Sequence, residues 1–436
     1  MRPVAVVGAG LAGAEAAYQI SRRGVEVRLF EMRPSKRTPV HKTDLFAELV
    51  CSNSLRSDSL TNAHGLLKEE MRRLGSLVLS AALESRVPAG QALAVDRDAF
   101  SRRVTEKVRE ARGVTVIEGE VKEIPEGGIV ILATGPLTSD ALSDSIRRFT
   151  GSDYLYFYDA VSPVVEVESI HSEKAFRASR YGKGADDYIN CPLNRVEYLR
   201  FYEALRSAAA VDLNEIDNAL YFEGCLPIEV MAARGVDTLR FGPMKPVGLA
   251  DPRTGREPYA CVQLRQDNLA ATLYNLVGFQ NQLKWGEQKR ILRLIPGLEN
   301  AEFSRYGMIH RNTYINSPTV LRPTFQTRKR GSLFFAGQIS GVEGYTESAA
   351  SGIIAGINAA RLAHGEPTVA PPPTTALGSL CHYISNAEAK SYQPTNVALG
   401  LLSPLDPPIA NRKARRQALV ERALQEMEEF ALANIP

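Results

Sequence analysis

Three glycines near the start of the chain, Gly8, Gly10 and Gly13, stand at G-x-G-x-x-G spacing, and an acid, Glu31, follows them. Together they are suited to holding a dinucleotide. Gly8 permits a tight turn, Gly10 lets the backbone approach a pyrophosphate, and Gly13 lets a helix lie close to a strand. Ala9, Leu11 and Ala12 complete the turn, whose backbone N–H groups open a helix toward an anion. A carboxylate at Glu31 can take ribose hydroxyls. Five cysteines, Cys51, Cys191, Cys225, Cys261 and Cys381, are scattered, odd in number and never at C-x-x-C spacing. That pattern suits thiols in a reducing compartment and argues against a disulfide framework or a metal site. Positive charge is concentrated in two places. Between Glu302 and Glu343 there is no Asp or Glu, yet Arg305, Arg311, Arg322, Arg328, Lys329 and Arg330 stand there, and Arg412, Lys413, Arg415 and Arg416 cluster near the end. Such runs are either solvated surface or a surface that meets phosphates.

The surrounding sequence supplies elements to position these residues. Val4–Val7 reads as a buried strand, Ala14–Ile20 as a helix and Val25–Phe30 as a second strand ending at Glu31, the order of a Rossmann unit. NAD and FAD are equally compatible with it. Leu66–Leu83 has the spacing of an amphipathic helix, and Asp96–Arg112 that of another capped by Asp96. Strands at Val114–Ile117 and Ile129–Ala133 follow, the second running into Thr134-Gly135. Far along the chain, Ser332–Ala336 leads through Gly337, Gln338, Gly341, Gly344 and Tyr345 to a helix, Glu347–Ala363, rich in small residues. In the large FAD-dependent Rossmann class an Ala-Thr-Gly turn returns beside the cofactor, and a strand, glycine-rich loop and close-packed helix complete the site. Gln338 stands where an acid often follows Ala-Gly in that class. The expected fold is therefore α/β, with a Rossmann-type FAD-binding domain from residues 1–150 and 320–436, split by an α+β insertion domain at 151–319. The insertion carries a β-prone run (Tyr154–Tyr158, Val161–Val167) and a helical segment over Val196–Ala210, and a C-terminal helix is expected over Arg412–Asn434. The chain shows one glycine fingerprint, so NAD(P)H would visit the flavin without a domain of its own.

At 436 residues, 44% hydrophobic and 23% charged, the chain has the length of two domains and the composition of a soluble protein. Its net charge of +3 predicts no polyanion partner by itself. No apolar run approaches the ~18 residues of a membrane span. The first strand starts at residue 3 or 4, which leaves no room for a signal peptide. The expectation is a cytoplasmic protein with no membrane or metal partner.

Several longer motifs are more specific than the fingerprint. Cys51-Ser-Asn-Ser-Leu-Arg56, Arg180-Tyr-Gly-Lys-Gly184, Asp187–Pro192, Phe222-Glu-Gly-Cys225-Leu-Pro-Ile-Glu-Val-Met231, Leu239–Leu249, Tyr306–Asn312 and Gly337–Gly352 closely resemble the folate- and FAD-dependent tRNA (uracil-5-)-methyltransferases, the TrmFO family. The larger GidA-type enzymes, which modify wobble uridines, share the FAD core and carry a C-terminal extension absent here. The resemblance implies 5-methyluridine formation in the tRNA T-loop, with carbon from 5,10-methylenetetrahydrofolate and hydride from FAD reduced by NAD(P)H. Uracil C5 becomes nucleophilic only after addition at C6, a task suited to a thiolate. The resemblance makes Cys225 that nucleophile and Cys51 the partner that takes the C5 proton, with an exchange of roles open. Arg56, near Cys51 in sequence, is expected to favour its thiolate. His310 is a candidate to hold the folate pterin. Arg322, Arg328, Lys329, Arg330, Arg412, Lys413, Arg415 and Arg416 are candidates for tRNA phosphates, with a folate glutamate tail as the other anion. Cys191, Cys261 and Cys381 are left as structural. Other readings are GidA-like wobble-uridine modification, another FAD oxidoreductase, or a non-catalytic redox-sensing binder of dinucleotide or tRNA.

Overall fold

A computed structural model describes residues 3–38, 40–152, 155–183, 185–210 and 226–435, with the side chains of 157–159 and 309–311 outside the description. Its centre is a five-stranded parallel sheet in the order Leu333–Phe335, Val130–Leu132, Val4–Val7, Val27–Glu31, Val114–Glu118. The three strands at one side are almost wholly apolar and buried, as strands covered on both faces must be. Register pairs Val4 with Val27 and Ala5 with Val130, while Val130 also faces Leu333. The sheet is thus completed by a strand some two hundred residues later in the chain.

Two helices pack on this sheet at unusually short range. Leu11–Ser21 follows the first strand, and Tyr345–Ala363 follows the last. Every residue from Thr346 to Ala360 is buried, the pattern of a helix enclosed all round. A Cβ at Gly352 would overlap the Ala12 carbonyl, and one at Gly356 would lie 2.8 Å from the Ala16 oxygen. The run of small residues is therefore a condition of backbone-to-backbone contact.

The expected single helix over Leu66–Leu83 is two helices, Ala63–Arg73 and Leu77–Glu84. Gly75 turns the chain at φ +69, a conformation that suits glycine, and Ser76 caps the second helix through the Leu79 N–H. The buried carboxylate of Glu15 accepts from Ser76 Oγ, Leu77 N and Val78 N, so the first helix holds the start of this one. Asp96 caps Arg97–Glu110 by accepting from Ala99 N. Tyr345–Ala363 begins two residues earlier than its spacing indicated, and the insertion helix runs Arg195–Arg206.

A second, six-stranded antiparallel sheet has the order Phe176–Arg177, Tyr188–Leu193, Ala260–Gln266, Leu273–Leu276, Val164–Glu166, Phe303–Arg305. Asn194 and Glu197 form a capping box at the start of Arg195–Arg206. Tyr198, Phe201, Tyr274 and Phe279 fill a core separate from that of the parallel sheet. A ribbon of Leu155–Ala160 and Ile309–Tyr314 joins the two halves. The C-terminal helix, Arg412–Asn434, packs through Leu419, Val420, Ala423, Met427 and Phe430. No helix among the described residues is long and apolar enough to cross a membrane, and no cluster there could hold a metal.

Gly352→Ala is expected to force the two helices apart and to cost about 1–3 kcal/mol or more by overpacking. Gly286, early in the helix Trp285–Leu292, has no atom near its would-be Cβ, so Gly286→Ala is expected to be neutral or to stabilise by up to about 1 kcal/mol. Thermal unfolding of the two variants checks the contrast.

Candidate active site

The strand end at Val7, the glycine turn and the N-terminus of Leu11–Ser21 open onto a cavity of about 530 Å³ between the two halves of the fold. Gly8 has φ +97, and a Cβ there would lie 2.6 Å from the Ala133 oxygen. Nothing lies within 4 Å of the Cβ position of Gly10. That open space on the cavity wall is room for a phosphate to approach the backbone. Ala9 and Gly13 face away from the cavity. The Ala9 N–H donates to Glu31 Oε2 at 2.9 Å, and a Cβ at Gly13 would overlap the Gly8 oxygen.

Glu31 also accepts from Arg33 N and Nε at 3.1 and 2.9 Å. Burial pushes its carboxyl up, but the Arg33 guanidinium outweighs this and holds it below the usual range. Three of about four lone-pair positions are then occupied, leaving one for a ligand hydroxyl. Leu11, Ala12, Thr134, Gly135, Gly337, Gln338, Gly344 and Tyr345 all line the same cavity. Gly341 does not: a Cβ there would overlap the Tyr392 hydroxyl. Gln338 Nε2 donates to Glu343 Oε2 at 2.7 Å, so an acid does reach this wall, five residues later than expected.

Cys51 is half-buried and stands on this wall. Its N–H and that of Ser52 both donate to the Tyr345 hydroxyl, at 2.7 and 3.1 Å, and its thiol donates to the Ala160 carbonyl at 3.3 Å. Burial raises the Tyr345 phenol well above its ordinary pKa, so the hydroxyl stays neutral while accepting these bonds. Cations from other elements hold the rest of the loop. Arg97 Nη1 donates to Leu49 O at 2.9 Å and Arg305 Nη1 to Val50 O at 3.0 Å. Arg97 pairs with buried Asp267 at 3.1 Å. Burial pushes Arg97 down, but Asp267 and the facing Tyr345 and Cys51 groups outweigh it and raise its pKa.

Arg97 is thus a cation electrostatically coupled to Cys51 that reaches the loop from a different element. Arg56 lies at φ +62 with Nη1 3.3 Å from His64 Nε2, and His64 Nδ1 stands 3.2 Å from Glu347. Arg97, Asn53, Arg265, Asp267 and Asn275 were not expected at the site from sequence. Polar Arg265 inside the buried strand Ala260–Gln266 was the available signal.

Cys225 lies outside the described residues. After it, Glu229 accepts from Gln282 N at 2.8 Å through one oxygen while the other is buried without a partner among the described residues, and burial pushes its carboxyl to about 7. Cys191, Cys261 and Cys381 are buried, with thiols raised by desolvation, Cys261 to about 12. Such thiols are inert. The backbone of His310 pairs opposite Asp159 in the joining ribbon, and its side chain is outside the described residues.

The basic residues divide into two kinds. Arg328 donates to Ser385 O, Lys329 to Phe149 O, and Arg330 to Ser332 Oγ and the carbonyls of Pro125, Gly127 and Gly128. These three brace neighbouring loops. Arg322 is exposed, as are Arg412, Lys413, Arg415 and Arg416 on the first turns of the C-terminal helix. Arg412, Arg415 and Arg416 line a second cavity of about 750 Å³ whose wall includes His64.

The family model described as Glucose inhibited division protein A matches residues 3–367. The chain is 59% identical over 425 residues to Methylenetetrahydrofolate--tRNA-(uracil-5-)-methyltransferase TrmFO of Halalkalibacterium halodurans, covering 98% of each. It is 60% identical over 429 residues to the protein of the same name from Pelotomaculum thermopropionicum, again covering 98% of each. Among solved structures it resembles Aquifex aeolicus GidA with a TM-score of 0.71 at 18% identity, over 99% of this chain and 73% of that one. At that identity the likeness shows the fold.

Tyr345→Phe removes the acceptor of two backbone N–H groups, a loss worth about 1–3 kcal/mol for buried donors. Hydrogen exchange at the Cys51 and Ser52 amides is expected to quicken at least tenfold while the parallel-sheet strands keep their protection.

Proposed function

The chain belongs to the TrmFO family of methylenetetrahydrofolate--tRNA-(uracil-5-)-methyltransferases and is an FAD-dependent enzyme of that activity, and from that premise we propose how its own residues carry the reaction. Residues 1–150 and 320–436 form the FAD-binding domain and 151–319 the insertion, a division supported by the two separate hydrophobic cores. Gly8, Gly10 and the start of Leu11–Ser21 would hold the pyrophosphate, since the space over Gly10 is open and the helix end favours an anion. Glu31 would hold ribose through its remaining lone pair. Thr134, Gly135, Gly337, Gln338, Gly344 and Tyr345 would border the rest of the cofactor. When bound and reduced, FAD supplies the hydride that completes the methyl group, with NAD(P)H as its reductant.

The observation that carries the reading is that Cys51 shares one cavity with Gly8, Gly10 and Glu31. Cys225 is the nucleophile: its sulfur bonds to uracil C6, and the displaced electron pair makes C5 nucleophilic. C5 then takes the methylene carbon of 5,10-methylenetetrahydrofolate. Cys51 accepts the C5 proton as the bond between the methylene carbon and the nitrogen that delivered it breaks, and arrival of hydride at the exocyclic methylene expels the Cys225 sulfur from C6. Tyr345 fixes the backbone of Cys51, and Arg97 favours its thiolate. His310 is the candidate for the pterin.

The tRNA lies on the exposed cations of the C-terminal helix, with Arg322 a further candidate contact. Arg412, Lys413, Arg415 and Arg416 occupy the helix end where the macrodipole prefers acids, a local cost that bound phosphates would relieve. Arg328, Lys329 and Arg330 keep their bracing bonds and contribute to the local positive potential. Phosphate contacts position without reading sequence, so selection of the T-arm uridine rests on RNA shape and a base splayed from its stack.

Incubated with unmodified tRNA, methylenetetrahydrofolate and NAD(P)H, the protein is expected to form 5-methyluridine, and Cys225→Ala to form none. A methyl group taken from S-adenosylmethionine instead would refute the reading. Reversing Arg412, Lys413, Arg415 and Arg416 to Glu is expected to weaken tRNA binding and flatten its salt slope by about 0.9 for each duplex phosphate that is no longer neutralised, with the duplex taken as B-form-like. Filter binding across salt concentrations checks this.

A further inference from the structure

Strand Ala260–Gln266 pairs on both sides within the six-stranded antiparallel sheet, and its one charged residue, Arg265, is only 9% exposed. The guanidinium donates through Nε to Asn53 Oδ1 at 3.1 Å, and through Nη2 to Ser52 Oγ at 2.8 Å and Asn275 Oδ1 at 3.3 Å. All three acceptors are neutral, and among the described residues no carboxylate lies at ion-pair distance. The acid nearest in sequence, Asp267, is already engaged. Its Oδ1 accepts from Arg97 Nε and Nη2 and from Asn275 Nδ2. A buried charge without a counter-charge is expensive, and burial accordingly pushes the Arg265 pKa down.

The remaining arm of the fork has a direction. Nη1 bonds to no described residue and is not among the enclosed unpartnered atoms, and Arg265 stands on the wall of the main cavity beside Cys51 and Ser52. Nη1 thus carries two N–H donors with no partner among the described residues, on a side chain of the cavity wall whose charge has no ion-paired carboxylate there. A planar guanidinium matches an oxygen that carries delocalised negative charge. On the methyltransferase reading, on which this inference rests, both rings that enter the cavity are pyrimidinediones: the substrate uracil and one end of the flavin. Each throws negative charge onto an imide oxygen when it gains an electron pair, and a preorganised donor aimed at such an oxygen acts without reorganisation. We propose that Arg265 is the cation that stabilises this imide oxygen, held by Asn53, Ser52 and Asn275 and kept free of Asp267 by Arg97.

The test uses the FAD-loaded full chain with Arg265→Gln and Arg265→Lys. Sulfite adds to oxidised flavin and leaves negative charge on its pyrimidinedione end, so sulfite affinity reports the flavin arm. Release of tritium from uracil C5 in unmodified tRNA, without folate, reports the uracil arm, because exchange requires the enolate formed by addition at C6. Arg265→Gln is expected to weaken sulfite binding at least tenfold if the flavin oxygen is the partner, or to slow tritium release at least tenfold if the uracil oxygen is. Arg265→Lys, with a shorter reach, should lose at least threefold in the same arm, and it decides the matter alone if the Gln variant does not retain flavin. Sulfite affinity and tritium release both within twofold of the wild type in a flavin-loaded variant would overturn the proposal. Product formation by the wild type, measured in parallel, keeps a failure of this assignment distinct from a failure of the methyltransferase reading.

Discussion

The near contact of two helix backbones governs the rest of the molecule. Leu11–Ser21 and Tyr345–Ala363 approach so closely that Gly352 and Gly356 have no room for a side chain. The approach joins the first and last thirds of the chain. It places Leu333–Phe335 in register on the parallel sheet and brings the Gly344–Tyr345 corner to the cavity opened by the Gly8–Gly13 turn. Tyr345 then receives the N–H groups of Cys51 and Ser52. A glycine pair remote from any reacting atom thereby sets where the thiol stands.

Charge organises the opposite wall. Three guanidiniums, those of Arg97, Arg265 and Arg305, donate into the short loop from Leu49 to Asn53. Asp267, the acid hydrogen-bonded within this group, is spent on Arg97 and Asn275. Neutral Asn53, Ser52 and Asn275 fill the places that further carboxylates would take. The result is a loop tied by hydrogen bonds from three guanidiniums, a positive setting of the kind that favours anions. Ordinary surface ion pairs elsewhere on the molecule contribute little by comparison.

The parallel sheet was legible because its strands are short, rich in β-branched and other apolar residues, and followed by punctuation: glycine turn, acid, or Ala-Thr-Gly. The Asp96 cap and the C-terminal helix were legible for similar local reasons. The break at Gly75 was not, since Leu74 and Leu77 both keep the helical spacing across it. Gly341 resembled a cofactor glycine but makes room for Tyr392, a residue whose proximity only the fold reveals. Nearness in sequence points to Arg56 beside Cys51, and it gives no sign of Arg97, which reaches that loop from the helix Arg97–Glu110. Arg330 looked like a free cation in an acid-free stretch and is occupied by four backbone and hydroxyl oxygens of nearby loops. Sequence displayed the local chemistry; convergence of distant residues required the fold.

The cofactor turn and Cys51 stand on the wall of one cavity. The most direct test of that shared wall is the rate at which iodoacetamide alkylates Cys51 in flavin-free and FAD-reconstituted protein, read peptide by peptide by mass spectrometry. FAD is expected to slow labelling of Cys51 at least several-fold, while buried Cys191, Cys261 and Cys381 stay unlabelled in both forms. Equal labelling of Cys51 with and without FAD would contradict it.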